Sequence, residues 1–181
     1  MDQVINYQVI DDFLPEENLK ILQKEIMWGH NFFWNVTDHV SNSPHDPKGG
    51  DPQADEMWNW YGAHLVWAHN NPQSNFWQMI DDLIITPMLN EGTMRALIRA
   101  KVNFYPAWTE LKEHSSHTDY DFDHSACVIS LNTCNGYTRL SDDITVDSVA
   151  NRAVIFNGSW EHNSTNCTDQ KGRFNINLNY V

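Results

Sequence analysis

The chain has 181 residues, a length typical of a single domain that can bury a substantial apolar core. Hydrophobic residues make up 41% of it and aromatic residues 12%, which excludes an intrinsically disordered protein. The formal net charge of −13 opposes binding to a phosphate backbone. No cluster of Lys or Arg reverses that field locally, so we expect no nucleic-acid partner.

The sequence also argues against secretion and membrane insertion. Residues 1–4 lack the basic start and apolar stretch of a signal peptide, and no apolar run approaches the roughly 18 residues of a membrane span. Three cysteines, Cys127, Cys134 and Cys167, form no C-x-x-C motif and are expected to be reduced thiols. We therefore expect a cytoplasmic protein with no membrane partner that acts as a monomer or homodimer.

Residues 6–27, NYQVIDDFLPEENLKILQKEIM, predict a short strand followed by a helix. Pro15 suits the first turn of that helix, where a missing backbone N–H is tolerated. Leu19, Leu22 and Ile26 then recur at helical spacing, which predicts one apolar face.

A long loop is predicted over residues 35–62, which are rich in Asp, Asn, Pro and Gly but contain Trp58, Trp60 and Tyr61. Loops of this length inside a compact domain usually have a function or are disordered. Two interpretations stay open: a surface excursion with some aromatic side chains tucked down, or a lid that covers a substrate.

A second helix is predicted over residues 74–89, SNFWQMIDDLIITPML. Ser74 can cap its start, and Pro87 is expected to break or kink it. The residues that share one face of this helix are apolar, namely Phe76, Ile80, Leu83 and Ile84.

Alternation with a period of two then replaces the helical period. The segments MRALIRAKVNFYP, CVISLN, DITV, AVIF and RFNINLNYV therefore predict strands. The last of these places apolar residues on one face (Phe174, Ile176, Leu178, Tyr180) and polar residues on the other (Arg173, Asn175, Asn177, Asn179). The three asparagines fit a structural face of a barrel as well as the wall of a pocket.

Two helices followed by a run of short strands indicate one mainly β domain with flanking helices. We place the helical support at about residues 1–93 and the β core at about residues 94–181.

The sequence His117-Thr118-Asp119 places an imidazole and a carboxylate two residues apart, shortly before a predicted strand. In an extended segment such side chains project to the same face and can reach one ion. About one His-x-acid pair is expected by chance, so the pair alone is weak evidence. His162, just after the strand that ends at Phe156, can supply a second imidazole from another direction. Two histidines and one carboxylate are the ligands that non-haem Fe(II) uses while it keeps positions open.

Arg173 follows His162 and opens the last strand on its polar face. An arginine on a polar strand face is usually only solvated. The order His-x-Asp, His, Arg, with each residue at a strand end, favours a site instead. A guanidinium can hold a carboxylate with two parallel hydrogen bonds in a partly dry pocket.

The order of these segments resembles the Fe(II)- and 2-oxoglutarate-dependent oxygenases, in particular their prolyl 4-hydroxylase-like branch. VIDDFLPEENLKIL is similar to the strand and helix that open that branch, and NFYPAWTELKEHSSHTDYD is similar to its Tyr-Pro strand and His-x-Asp motif. CVISLN, NGYTRL, NRAVIFNGSWEHNST and GRFNINLNYV follow in the family's order. The resemblance covers most of the chain, which is laid out like small phage and bacterial members. It implies a double-stranded β-helix, a cupin-like jelly roll backed by N-terminal helices.

The resemblance also implies roles for individual residues. His117, Asp119 and His162 would be the iron ligands and form the catalytic centre. Arg173 would bind the distal carboxylate of 2-oxoglutarate, and Tyr105 would donate a hydrogen bond to this co-substrate.

Two positions depart from the family pattern. Ser130 stands where some animal relatives have a tyrosine that helps to hold 2-oxoglutarate. Collagen-type relatives use Lys rather than Arg for the distal carboxylate, which makes Lys171 an alternative to Arg173. We favour Arg173, because its register places it with the inward-facing polar residues.

The implied reaction consumes 2-oxoglutarate and O₂, releases succinate and CO₂, and hydroxylates an unactivated C–H bond, with a peptidyl proline or a similar residue as the favoured substrate. Fe(II), 2-oxoglutarate and O₂ would be required, with ascorbate as a candidate stimulant. The acidic charge is compatible with a neutral or basic peptide. Two alternatives stay open: hydroxylation of a free amino acid or another small metabolite, and a non-catalytic jelly-roll binding module, for example one that binds sugars.

Some residues keep a second interpretation. Tyr105 is equally well explained as a core aromatic residue of its strand. His114 is a less favoured candidate for a zinc site with Cys127 or Cys134, because the cysteine spacing fits no structural zinc pattern. His124 is expected to be a loop residue and no ligand.

Overall fold

A computed structural model describes residues 6–41 and 50–181. Its two helical segments agree with the predicted positions: helix α1 (Glu16–Leu22) continues into a π-helical turn (Gln23–Met27), and helix α2 (Trp77–Ile80) continues through a second π-helical turn (Asp81–Ile85) into helix α3 (Thr86–Asn90). Within the described part of the chain, no helix combines the length and apolar composition that crossing a membrane requires.

The described residues form strands β1 (Tyr7–Ile10), β2 (Asn35–Thr37), β3 (Tyr61–Ala68), β4 (Asn71–Pro72), β5 (Leu97–Pro106), β6 (Ser125–Ser130), β7 (Tyr137–Ser141), β8 (Ile144–Asp147), β9 (Ala153–Asn157), β10 (Asn163–Ser164) and β11 (Gly172–Tyr180). The large sheet has the order β1-β9-β6-β11-β5-β3-β2, with β4 on β3, and the small sheet has the order β10-β7-β8. All of these pairs are antiparallel. The mainly β architecture that the sequence predicts and the jelly roll that the family resemblance implies are both confirmed.

The helices cover one face of the large sheet. Leu22, Ile26, Ile80 and Ile84 form one apolar cluster with the apolar face of β11. Every residue of β11 is buried, so its polar face is covered as well. The alternation predicted for this strand therefore separates two interiors, an apolar one under the helices and a polar one on the opposite face of the sheet.

Pro87 does not break the second helical segment, which is the first of the two effects predicted for it. Helical conformation runs through it to Asn90, and Pro87 lies in the first turn of α3. A proline is tolerated there because the first N–H groups of a helix have no partner within that helix. Ser74 lies ahead of the segment as expected, and its hydroxyl accepts a hydrogen bond from the Phe76 N–H at 3.0 Å.

The prediction of a continuous loop over residues 35–62 is wrong at both ends, because β2 pairs with the start of β3. The middle of the predicted lid, residues 42–49, lies outside the described residues. Just after it, the buried carboxylate of Asp51 accepts hydrogen bonds from the Asn59 amide at 2.8 Å and the Ser115 hydroxyl at 2.6 Å. This part of the segment is therefore tied to the loop that precedes the His-x-Asp motif.

Asn151 fastens the start of the helical layer to the β core. Its backbone lies in the left-handed region, with φ of 66°, which Asn tolerates better than most residues. The side-chain oxygen accepts a hydrogen bond from the Leu14 N–H at 2.9 Å, and the side-chain amide donates one to the Leu14 carbonyl at 2.8 Å. Both bonds are buried.

We expect Asn151→Ala to lower the free energy of unfolding by about 2 to 4 kcal/mol, since it leaves buried backbone groups unpaired and keeps a β-carbon in the left-handed region. Urea denaturation measures the loss. Asn70→Ala is the matched control: Asn70 has a φ of 54° but is exposed, so its replacement should cost only about 1 kcal/mol. Equal losses for the two variants would contradict the anchoring role of Asn151.

Candidate metal centre

His117 and His162 are brought together by direct backbone pairing. The His117 N–H donates to the His162 carbonyl and the His162 N–H donates to the His117 carbonyl, each at 3.0 Å. Residues that exchange both hydrogen bonds lie directly opposite in an antiparallel pair and place their side chains on the same face. The two imidazole rings are accordingly 4.6 Å apart between centroids.

Asp119 completes the group. Its backbone N–H donates to the Gly158 carbonyl at 2.9 Å, which brings the second half of the His-x-Asp motif beside the turn that precedes His162. An Asp119 carboxylate oxygen is 4.0 Å from Nε2 of His162, and one ligand atom from each of the three residues lies within 4.8 Å of the others. The structure thus joins the three side chains that the sequence predicts as metal ligands.

The protonation states suit a divalent cation. Burial, followed by the neighbouring His162, lowers the pKa of His117 to about 3, and burial also lowers the pKa of His162. Burial alone would raise the pKa of Asp119, but the charge of Arg99 and both histidines outweigh it and lower that pKa. At neutral pH the group therefore offers two neutral imidazoles and one carboxylate.

Neighbouring groups orient these ligands. Nδ1 of His162 donates to the Trp160 carbonyl at 2.9 Å, so Nε2 keeps its lone pair on the side of Asp119. Arg99 donates to Oδ1 of Asp119 at 2.5 Å, and the Asn179 amide donates to Oδ2 at 2.8 Å. Such outer partners fix the direction in which a ligand presents its lone pairs.

The residues present fit a bound metal ion. Among the residues that the structure describes, Nδ1 of His117 is buried and has no hydrogen-bond partner. A buried polar nitrogen without a partner is costly in a structure that has no use for it. Two imidazoles and one carboxylate on one side of an ion are the donor set of non-haem Fe(II) sites that keep open positions.

Arg173 and Tyr105 lie opposite one another on β11 and β5 and line the same cavity as His117 and His162. The Arg173 side chain is 1% exposed and donates to the hydroxyls of Ser148 at 2.5 Å and Thr138 at 2.7 Å. In the described part of the chain no carboxylate pairs with it. Arg173 is therefore a rigidly held, buried cation that faces a cavity.

Tyr105 is buried, and burial raises the pKa of its hydroxyl, which keeps the proton available for donation. It also stacks on Tyr61 and His114, with ring centroids 5.7 Å and 5.1 Å away. Both interpretations of Tyr105 are thus compatible, because its ring packs on other aromatic rings while the residue also lines the cavity.

Lys171, the alternative to Arg173, lies elsewhere. It is exposed, and its ammonium is 5.5 Å from the centroid of the Trp28 ring. Ser130, at the position of the tyrosine in some animal relatives, is buried opposite Asn175.

His114 and His124 take structural positions. His114 bonds to the Ser164 hydroxyl through Nδ1 at 2.9 Å and belongs to neither of the two groups of three or more possible metal ligands in the described residues. The second such group is Cys134, Cys167 and Asp169. His124, expected to be a loop residue, accepts a hydrogen bond from Asn179 at 3.1 Å.

Arg99 is a functional candidate that no pattern in the sequence singles out. Its position in the alternation of β5 shows only that it belongs to the polar face. Its pairing with Asp119 joins residues from separate segments, which no local pattern reveals. The three asparagines of β11 border the site: Asn177 and Asn179 approach Asp119, while Asn175 and Asn177 line the cavity.

The fold is similar to that of several solved enzymes. A Pseudomonas putida prolyl-4-hydroxylase has a TM-score of 0.59 and 13% identity, over 98% of this chain and 92% of that one. A Trichoplax adhaerens prolyl hydroxylase in complex with a peptide fragment of hypoxia inducible factor has a TM-score of 0.65 and 12% identity, over 98% and 84%. HygX from Streptomyces hygroscopicus with nickel, 2-oxoglutarate and hygromycin B has a TM-score of 0.57 and 9% identity, over 97% and 82%.

No protein-family model matches the sequence, and no curated protein does. The likeness is therefore one of structure, at identities where sequence carries little signal. The chain has the jelly-roll fold of the prolyl 4-hydroxylases and other 2-oxoglutarate–Fe(II) oxygenases.

Proposed function

We propose that the protein is an Fe(II)- and 2-oxoglutarate-dependent dioxygenase that hydroxylates an unactivated C–H bond and releases succinate and CO₂. The observation that carries this proposal is one cavity lined by two histidines of the His-Asp-His group and by a buried arginine that has no carboxylate partner among the described residues. Iron, when bound by His117, Asp119 and His162, would supply the activation of O₂. A non-catalytic binding module has no need for all four residues.

The protein's own groups bind and orient the reactants. Arg173 would hold the distal carboxylate of 2-oxoglutarate, because an unpaired buried guanidinium gains most from a carboxylate partner. Tyr105 would donate its retained proton to the same co-substrate. Arg99 and Asn179 would hold the Asp119 carboxylate in place while it binds the ion.

Two substrate classes are candidates. The resemblance implies a peptidyl proline, and the prolyl hydroxylases with the same fold support it, one of them in complex with a peptide. HygX, crystallised with hygromycin B, supports a small molecule. A second cavity, whose wall includes Arg99 and Lys101, lies beside the metal centre and favours the second class.

We expect His117→Ala and His162→Ala each to abolish Fe(II)-dependent succinate release, since each removes one of three ligands. The fold should remain, as His117 loses no hydrogen bond through Nδ1 on truncation. Succinate is measured with Fe(II), 2-oxoglutarate and O₂, and folding by circular dichroism. His30→Ala, at an exposed histidine, is the control and should retain activity. Normal turnover in both ligand variants would refute the metal assignment, and a folded wild type that makes no succinate would favour the binding module.

Arg173→Ala is expected chiefly to raise the KM for 2-oxoglutarate, by about 10- to 100-fold, because it removes a charged partner of the distal carboxylate. The initial rate of succinate release against 2-oxoglutarate concentration gives this value. Arg173→Lys keeps the charge and provides a second variant should the alanine variant not fold. Lys171→Ala is the matched control. The assignment fails if Lys171→Ala raises the KM and both Arg173 variants leave it unchanged.

Arg99→Gln should weaken Fe(II) binding by about 10- to 100-fold, because Asp119 loses the group that orients it. Anaerobic titration with Fe(II) measures the affinity directly. Arg99→Lys should restore part of it, whereas Arg95→Gln, at an exposed arginine nearby in sequence, should leave it unchanged. An Fe(II) affinity that is equal in wild type and Arg99→Gln would show that Arg99 does not position the ligand.

A further inference from the structure

A cavity of about 650 Å³ opens between the end of β3, the start of β5 and the loop after Asp119. Apolar and aromatic side chains form much of its wall, including Leu65, Leu97, Tyr120 and Phe122. Its volume lies in the range of small-molecule sites, which are about 300 to 1,000 Å³. The combination of size and wall composition fits a ligand with an apolar body.

Two cations, Arg99 and Lys101, line this cavity, and they differ in their partners. Arg99 is paired with Asp119, so most of its charge is compensated. Lys101 has no ion pair with a carboxylate anywhere in the described ranges, and its ammonium lies 5.4 Å from the centroid of the Tyr61 ring. Burial, followed by the charge of Arg99, lowers the pKa of Lys101. Tyr105 and Asp119 act in the opposite direction but do not outweigh burial, and Asp119 is itself paired with Arg99. A bound anion would therefore stabilise the charged form of this lysine further.

The cavity adjoins the candidate metal centre. Arg99 forms part of its wall and also donates to Asp119 at 2.5 Å. Tyr120, the next residue after Asp119, forms another part and lies under the Arg99 guanidinium, 5.2 Å from the ring centroid. A ligand in this cavity would thus contact the two residues that flank the Asp119 carboxylate in space and in sequence.

We propose that this cavity is the primary-substrate site and that Lys101 binds a carboxylate of the substrate, a small acid with an apolar body. The inference rests on the proposed function and names the substrate class for the same site. One uncompensated ammonium matches one carboxylate, and the apolar wall matches the remainder of such a molecule. The C-terminal carboxylate of a peptide carries the same chemistry, but the limited volume favours the small acid.

A local cation is also what this protein needs in order to bind an acid. With a net charge of −13, the overall field repels small anions. An acid can therefore bind only where a specific positive charge outweighs that field, and in the described residues Lys101 is a cation that lines this cavity without an ion-pair partner.

The test compares acids with their amides, which differ in charge but hardly in shape. The probes are the free apolar and aromatic L-amino acids and their primary amides, together with short proline-containing peptides that have a free or an amidated C-terminus. Binding to protein loaded with Fe(II) and 2-oxoglutarate without O₂ is measured by calorimetry, and stimulation of succinate release is measured separately. The wild type should bind at least one free amino acid about 10- to 100-fold more tightly than its amide.

The preference for acid over amide should fall to about one in Lys101→Met, which keeps the length of the side chain but removes the charge, and should persist in Lys101→Arg. Lys24→Met, at a highly exposed lysine, should keep the wild-type preference. If peptides with a free C-terminus bind tightly and free amino acids do not, the carboxylate that Lys101 binds is a peptide C-terminus. That result would overturn the small-acid assignment.

Three further results would overturn the proposal: no acid binds, acids and amides bind equally to the wild type, or Lys101→Met raises the KM for 2-oxoglutarate without changing the preference. The last result would assign Lys101 to the co-substrate. Failure of the proposed function looks different, because it would abolish succinate release in every sample while the calorimetric comparison could still be made.

Discussion

The exchange of backbone hydrogen bonds between His117 and His162 is the contact on which the candidate site depends. These residues are far apart in sequence, and only their antiparallel pairing places both imidazoles on one face. The same two segments also pair at Glu113 and Thr165, one residue out of register with the histidine pair, so the register shifts by one residue between the two bridges. A slip by one residue would turn one imidazole away from the other, because side chains alternate along a strand. The metal centre is therefore a property of strand register as much as of residue type.

Burial of Asp119 imposes the second constraint. A buried carboxylate is costly unless hydrogen bonds and opposite charge compensate it. Arg99 on β5 and the amide of Asn179 on β11 provide that compensation. These two strands are neighbours in the large sheet, and their polar faces border the candidate site. The side chains that stabilise the carboxylate in the interior are thus the same ones that direct it. Stability and preorganisation have one structural cause here.

Much of this arrangement could be predicted from the sequence, because it follows from local periodicity. The alternation of residues 173–180 predicts both β11 and the segregation of its polar side chains. Strand β3 was not predicted, since His64 and Trp67 interrupt a simple apolar alternation in a segment dominated by turn-forming residues on its N-terminal side. The roles of Arg99 and Lys101 could not be predicted either. Both depend on what lies across space from β5, namely Asp119 for one and an open cavity for the other.

The charge close to the candidate site differs in sign from the net charge of the whole chain. A net charge of −13 is compatible with a neutral or basic substrate, and it describes the molecule as seen from a distance. Close to the candidate site, the polar face of β5 and β11 carries three cations, Arg99, Lys101 and Arg173. The carboxylate of Asp119 lies near them and is paired with Arg99. At short range in a partly dry interior these fixed charges outweigh a diffuse surface field, which salt screens. Because two of the three cations have no carboxylate partner among the described residues, the interior has room for two anionic groups, and a 2-oxo acid together with a second acid would supply them.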